Sequence, residues 1–194
     1  VARANYLSPD RPDISFAVKE LARSMSSPCR DDWERLKRLA RYLKGRPRVV
    51  SRFPWQRPAS ALSIYTDADW AGDKRTRKST SGGCLMLGRR LLKSWSKTQS
   101  LVALSSGESE LYATLRAASE RLGLQSIAND LGIELKGEVW GDASAALGII
   151  NRKGLGKTRH HLAPQPPSPW SHADEIKRRD KRTFEDMMMP TIAG

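Results

Sequence analysis

Hydrophobic and polar positions change their period along this chain, and the changes divide it. After Pro12-Asp13 the apolar residues Ile14, Phe16, Ala17, Val18, Leu21, Ala22 and Met25 recur at helical spacing until Ser26-Ser27-Pro28, which predicts a first helix. Trp33, Leu36, Leu39, Ala40 and Leu43 make a second stripe and predict a helix over 31–44, stopped by Gly45-Arg46-Pro47. Residues 52–60 are rich in Pro, Arg and Gln and have no period, as expected of a join. Beyond it the period becomes two: Leu62 and Ile64 alternate with Ser63 and Tyr65 in a strand that ends at Asp67. Residues 83–87 and 91–95 predict two more strands, turned around Gly88-Arg89. A long helix follows over 106–130, with Leu111, Leu115, Ala118, Leu122 and Ile127 on one face, Ser105 or Ser106 as cap, and Glu108 and Glu110 at the positive end of its dipole. Glu138-Val139-Trp140 predicts a short fourth strand, and Asp142 marks the passage to a helix reaching about Ile150. The order βββαβα predicts an α/β class: a mixed sheet with helices packed on it, preceded by a small helical segment.

The last part behaves differently. Four prolines within residues 163–169 exclude regular structure there, and a charged helix over 175–189 would lack a clear apolar stripe, so weak order is expected of the tail.

Composition narrows the partner. With 39% apolar residues in 194 the chain can bury a core, and its formal charge is +13. Residues 1–58 hold 14 Lys/Arg against 6 Asp/Glu, residues 59–165 hold 15 against 10, and the rest is balanced. Such an excess suits a polyanion. Arg35, Lys37, Arg38, Arg41 and Lys44 on the second helix fit either a solvated face or one turned to phosphates. No run approaches the roughly 18 apolar residues of a membrane span, so no membrane partner is expected. Nor is there a targeting signal, and the absence of an initiator Met suggests a piece of a longer polypeptide. Cys29 and Cys84 are too few for a disulfide framework or a four-cysteine zinc site and read as free thiols.

Three acids stand where they help folding little: Asp67 at a strand end, Glu110 in the first turn of the long helix, and Asp142 after the short strand. Each has an ordinary explanation, respectively as a turn residue, a dipole partner and a helix cap. Together, at one edge of a sheet, they would repel unless a cation neutralised them, and hard oxygen ligands select Mg²⁺ or Mn²⁺.

The strings at 65–72 (Tyr65-Thr66-Asp67-Ala68-Asp69-Trp70-Ala71-Gly72), 79–83 (Ser79-Thr80-Ser81-Gly82-Gly83), 95–99 and 105–113 resemble the ribonuclease H domain of copia-type retrotransposon Pol polyproteins. Those at 11–18 and 36–45 resemble the end of the reverse transcriptase that precedes it. The resemblance implies three parts: a helical reverse-transcriptase remnant over 1–58, a ribonuclease H-like domain over 59–161, and an unrelated Pro-rich tail over 162–194. It implies an endonuclease that hydrolyses the RNA strand of RNA–DNA hybrids with two Mg²⁺ (or Mn²⁺) ions and no small-molecule cofactor. The reverse-transcriptase portion of the same polyprotein would be its partner. Asp67, Glu110 and Asp142 match the family's metal-binding carboxylates; Glu110 is preferred to Glu108 because it directly precedes Leu111-Tyr112-Ala113. His160 matches the family's histidine, assisting departure of product or metal. Lys74, Arg75, Arg77 and Lys78 would grip phosphates, with Ser79, Thr80 and Ser81 as neutral donors beside them. The life cycle of such elements implies an intracellular location, in cytoplasmic virus-like particles and the nucleus. The sequence departs from the family after His160: Leu162 stands where a fourth carboxylate belongs, as a shifted reading frame would produce. The alternative is therefore a degenerate fragment that binds nucleic acid without cutting it. A polymerase lacks its Tyr-X-Asp-Asp string here, and Gly107-Glu108-Ser109-Glu110-Leu111 lacks the closing glycine of a serine-hydrolase elbow.

Overall fold

A computed structural model of the chain describes residues 1–141 and 175–178. Three helices come first: α1 (Ala2–Leu7), α2 (Pro12–Arg23) and α3 (Arg30–Gly45). Pro12 sits in the first turn of α2, where its missing N–H is no loss. Ile14, Val18 and Leu21 of α2 and Leu39 of α3 are buried against one another, with Val1, Ala4, Leu36 and Leu43 around them. The α2 stripe is narrower than its sequence suggests, since Phe16 and Met25 are exposed, and α1 has no counterpart in the sequence reading.

After a join without regular structure come β1 (Ala61–Asp69), β2 (Thr80–Leu87), β3 (Arg90–Thr98), α4 (Ser106–Asp130) and β4 (Lys136–Gly141). The expected β-β-β-α-β succession is observed, and a further strand, β5 (Glu175–Arg178), completes a sheet of order β3-β2-β1-β4-β5. β2 runs antiparallel to β1 and β3, while β4 runs parallel to β1 and β5 parallel to β4. At Glu175–Arg178 the observed strand replaces the helix considered from sequence: β4 offers an unpaired edge, and a short extended segment satisfies it whatever its own period. The helix expected over 142–150 lies outside the described residues.

α4 packs its small residues on the sheet. Ala117 joins Leu62, Ile64, Leu85, Trp95 and Val139 in the core, and Ala113 and Ala118 are also buried. Leu122 and Ile127, expected on the buried face, are exposed instead. Alanines allow a closer approach than leucines would, so the helix turns its Ala-rich side inward. The fully buried Arg121 side chain fills the space over Gly137, where a Cβ would overlap the guanidinium. Gly83 makes similar room for the Trp95 ring across the hairpin. The join contributes one lock: Gln56 donates to Leu87 O at 2.9 Å and accepts from Arg89 N at 2.8 Å, bracketing Gly88 at φ +60°.

Candidate active site

The C-terminal end of β1, the start of β2, the end of β3 and the N-terminus of α4 meet at one rim of the sheet. The alternation of β1 buries Leu62, Ile64 and Thr66 and leaves Asp67 exposed at that rim. Glu110, buried in the first turns of α4, reaches across: its Oε1 accepts a hydrogen bond from Ala68 N at 3.1 Å. The carboxylate is therefore held against the peptide unit that follows Asp67.

Glu108 is used differently. One oxygen accepts from Leu104 N at 2.7 Å and the other from Tyr112 Oη at 3.0 Å, while its own amide donates to Ser105 Oγ at 3.2 Å. These bonds belong to the helix start itself. The geometry thus separates the two glutamates, with Glu110 tied to β1 and Glu108 to the turn that caps α4. Burial and the Glu108 carboxylate together push the Tyr112 phenol up from its ordinary range.

Behind the rim lies a polar clamp that the sequence did not reveal. Gln99 donates from Nε2 to Ser81 Oγ (2.9 Å) and Ser109 O (2.8 Å), and its amide donates to Ser79 O at 2.8 Å. It joins β2 to the turn of α4 that carries Glu110. Trp70 adds a second tie, donating from Nε1 to Ala103 O at 3.0 Å. Gly82 stands opposite Asp67 in the ladder, and a Cβ there would meet nothing within 4 Å among the described residues.

The loop between β1 and β2 is shaped by Asp73, whose carboxylate accepts from the Thr76 hydroxyl and from Arg75 N. The Thr76 bond, against the opposing effect of burial, holds that carboxyl below its ordinary range. Arg77 takes the left-handed conformation at φ +58° and donates its amide to Asp73 O. Lys74, Arg75 and Arg77 are exposed and Lys78 is half-buried. The three hydroxyl residues expected beside them as phosphate donors are buried and engaged within the fold. Ser79 Oγ accepts from Ala71 N, Thr80 Oγ1 from Lys19 Nζ and Ser81 Oγ from Gln99. Thr80 and Ser81 begin β2 and Ser79 directly precedes it, and all three are buried, so of that expected set the four cations are the more exposed members.

Asp142 and His160 lie outside the described residues, as does Leu162. Gly141, the residue before Asp142, ends β4 beside Thr66, to which a Cβ at Gly141 would come within 4.0 Å. Among the described residues no three His, Cys, Asp or Glu side chains gather as a metal site. The two described acids of the expected set, Asp67 and Glu110, do share the rim, and their hard oxygen donors are of the kind that suits Mg²⁺ or Mn²⁺. Among the described residues no helix is long and apolar enough to cross a membrane. Neither cysteine is in a disulfide; Cys29 is exposed and Cys84 buried.

No family model matches the chain. It is 38% identical over 135 residues to the retrovirus-related Pol polyprotein from transposon RE2 of Arabidopsis thaliana, a match covering 70% of this chain and 9% of that protein. It is also 40% identical over 114 residues to the secreted RxLR effector protein 161 of Plasmopara viticola, covering 59% of this chain and 80% of that one. Among solved structures, LC11-RNase H1, isolated from compost by a metagenomic approach, superposes with a TM-score of 0.43 at 14% identity, over 66% of this chain and 90% of that one.

Proposed function

Because the chain belongs to the copia-type retrovirus-related Pol polyproteins, of which it spans about a tenth, we propose that residues 59–161 act as a ribonuclease H-type endonuclease. Its substrate is the RNA strand of RNA–DNA hybrids made during reverse transcription, and residues 1–58 are the end of the reverse transcriptase. The observation that carries this reading is the Glu110–Ala68 hydrogen bond, which brings the helix acid to the strand acid at the sheet rim.

Asp67 and Glu110, with Asp142, would hold two Mg²⁺ or Mn²⁺ ions, which when bound supply an activated water and stabilise the leaving oxygen. The chain's own contribution is positioning. The Ala68 amide fixes one oxygen of Glu110, Gln99 fixes the turn that carries it, and Gly82, having no side chain, admits a sugar-phosphate backbone to Asp67. Lys74, Arg75, Arg77 and Lys78 hold phosphates beside the rim and set the register of the strand without reading its sequence. Selection of RNA rests on its 2′-hydroxyls. His160 assists product departure.

The test is cleavage of a labelled RNA–DNA hybrid in Mg²⁺. Asp67→Asn is expected to reduce cutting below detection while hybrid affinity stays within a few-fold. Equal cutting by parent and variant would refute the assignment. Leu162, where the family has an acid, favours a second reading in which the domain binds hybrid but does not cut it. That reading requires bound, uncut hybrid with the parent chain and restored cutting with Leu162→Asp.

A further inference from the structure

A cleft of about 600 Å³ opens between the α2–α3 turn and the β1–β2 loop. Ser24, Ser27 and Arg35 line one side, and Gly72, Lys74 and Arg75 the other. We infer that this cleft is a phosphate-binding site through which the helical segment itself grips the sugar-phosphate backbone of a bound strand. The inference rests on the proposed action on nucleic acid but assigns a part of the grip to residues outside the nuclease-like segment.

Its walls are fixed to each other. Arg23 of α2 pairs with Glu20 at 3.0 Å, donates to Thr98 Oγ1 at 3.2 Å and lies 3.7 Å from Asp73. Lys19 donates to Thr80 Oγ1 at 2.8 Å. The helical segment is thereby bolted to the same sheet rim that carries Asp67 and Glu110.

Three acids also border the cleft, and each is already engaged. Glu20 is paired with Lys19 and Arg23. Asp73 is turned into its own loop. Asp32 accepts from Cys29 N and Cys29 Sγ, both at 3.1 Å, in the capping box of α3. Arg35 stands 3.6 Å from Asp32 with its side chain 58% exposed, a loose pair that a phosphate can compete with. Lys74 and Arg75 are exposed opposite it. Three cations of one sign thus face a cleft furnished with serine hydroxyls, the mix that proteins use on phosphate oxygens. Continuity with the rim comes through Gly72: a Cβ there would overlap the Asp69 carboxylate, so the end of β1 runs directly into the cleft wall.

The experiment measures hybrid binding by the full 194-residue chain as a function of salt, for the parent, Arg35→Ala, Arg75→Ala, the double variant, and Lys136→Ala at the opposite end of β4 as control. For the double variant, affinity should fall at least tenfold, and the slope of log affinity against log salt should flatten by about two, near 0.9 for each lost phosphate contact. Melting should be unchanged in every variant, and cutting by Lys136→Ala should match the parent. Competition by inorganic phosphate at constant ionic strength that disappears in the double variant would mean the cleft takes the phosphate group itself; no competition would mean it takes phosphate only within a strand. Parental affinity and slope in Arg35→Ala, or a double variant no weaker than Arg75→Ala, would overturn the inference, as would a Lys136→Ala loss equal to that of Arg35→Ala. Failure of the nuclease reading shows separately, as absent cutting with these binding responses intact.

Discussion

At Gly83 an added methyl group would overlap the Trp95 ring, whereas at its neighbour Gly82 it would meet nothing within 4 Å among the described residues. Gly83→Ala is accordingly expected to cost about 1–3 kcal/mol, as overpacking does, and Gly82→Ala to leave stability unchanged or raise it by about 0.5 kcal/mol. Urea titrations of the two variants decide it, and equal midpoints would contradict the packing of β2 against β3. A second residue-scale expectation concerns acid. Arg11, with Tyr42 adding to it and burial opposing, holds the Asp13 carboxyl below its ordinary range, at hydrogen-bond distances of 2.8–3.0 Å. A depressed carboxylate contributes stability that is full above its unfolded value of about 3.9 and is lost as pH falls through the folded value. Asp13→Asn should therefore lower the melting temperature at neutral pH and shrink its decline below about pH 4. A parallel downward shift at all pH values would show that Asp13 acts only by packing.

At the scale of elements, α4 depends on its cap and its clamp. Ser105→Ala removes the oxygen that accepts from Glu108 N and should cost about 1 kcal/mol, read by thermal melting. Gln99→Ala strips Ser109 O of a donor inside the protein, which should cost about 1–3 kcal/mol and also slow hybrid cutting by loosening the turn before Glu110. Undiminished cutting would make Gln99 structural only. The bounds of α4 were legible because Ser105 and the periodic run after it are strong local signals. Its buried face was not, because large apolar residues dominate a stripe on paper, while close packing on the sheet selects Ala113, Ala117 and Ala118. The burial of Ser79, Thr80 and Ser81 was not legible for a related reason: proximity to Lys74–Lys78 in sequence says nothing about the packing at the start of β2. Gln56 and Gln99 act across loops, and no period announces such residues. α1 is six residues long and buries none of them, so it left no pattern to find.

At the scale of the whole molecule, Glu110, two residues further into α4 than Glu108, reaches the end of β1, and the succession of strands followed from ordered motifs along the chain. The attachment of α2 to the sheet rim did not, since Lys19 and Arg23 meet Thr80 and Thr98 only after both parts have folded. That attachment makes the two parts one electrostatic surface, and hybrid affinity is expected to fall steeply with salt; a flat response would remove the role given to the +13 charge. The sheet order carries a consequence for biosynthesis. β1 gains its antiparallel neighbour as soon as β2, complete at Leu87, leaves the ribosome, but its other edge waits for Trp140, beyond the whole of α4. A nascent chain halted within α4 would present an uncovered row of amides and carbonyls, so premature termination there should yield aggregates in a solubility assay rather than a smaller working unit.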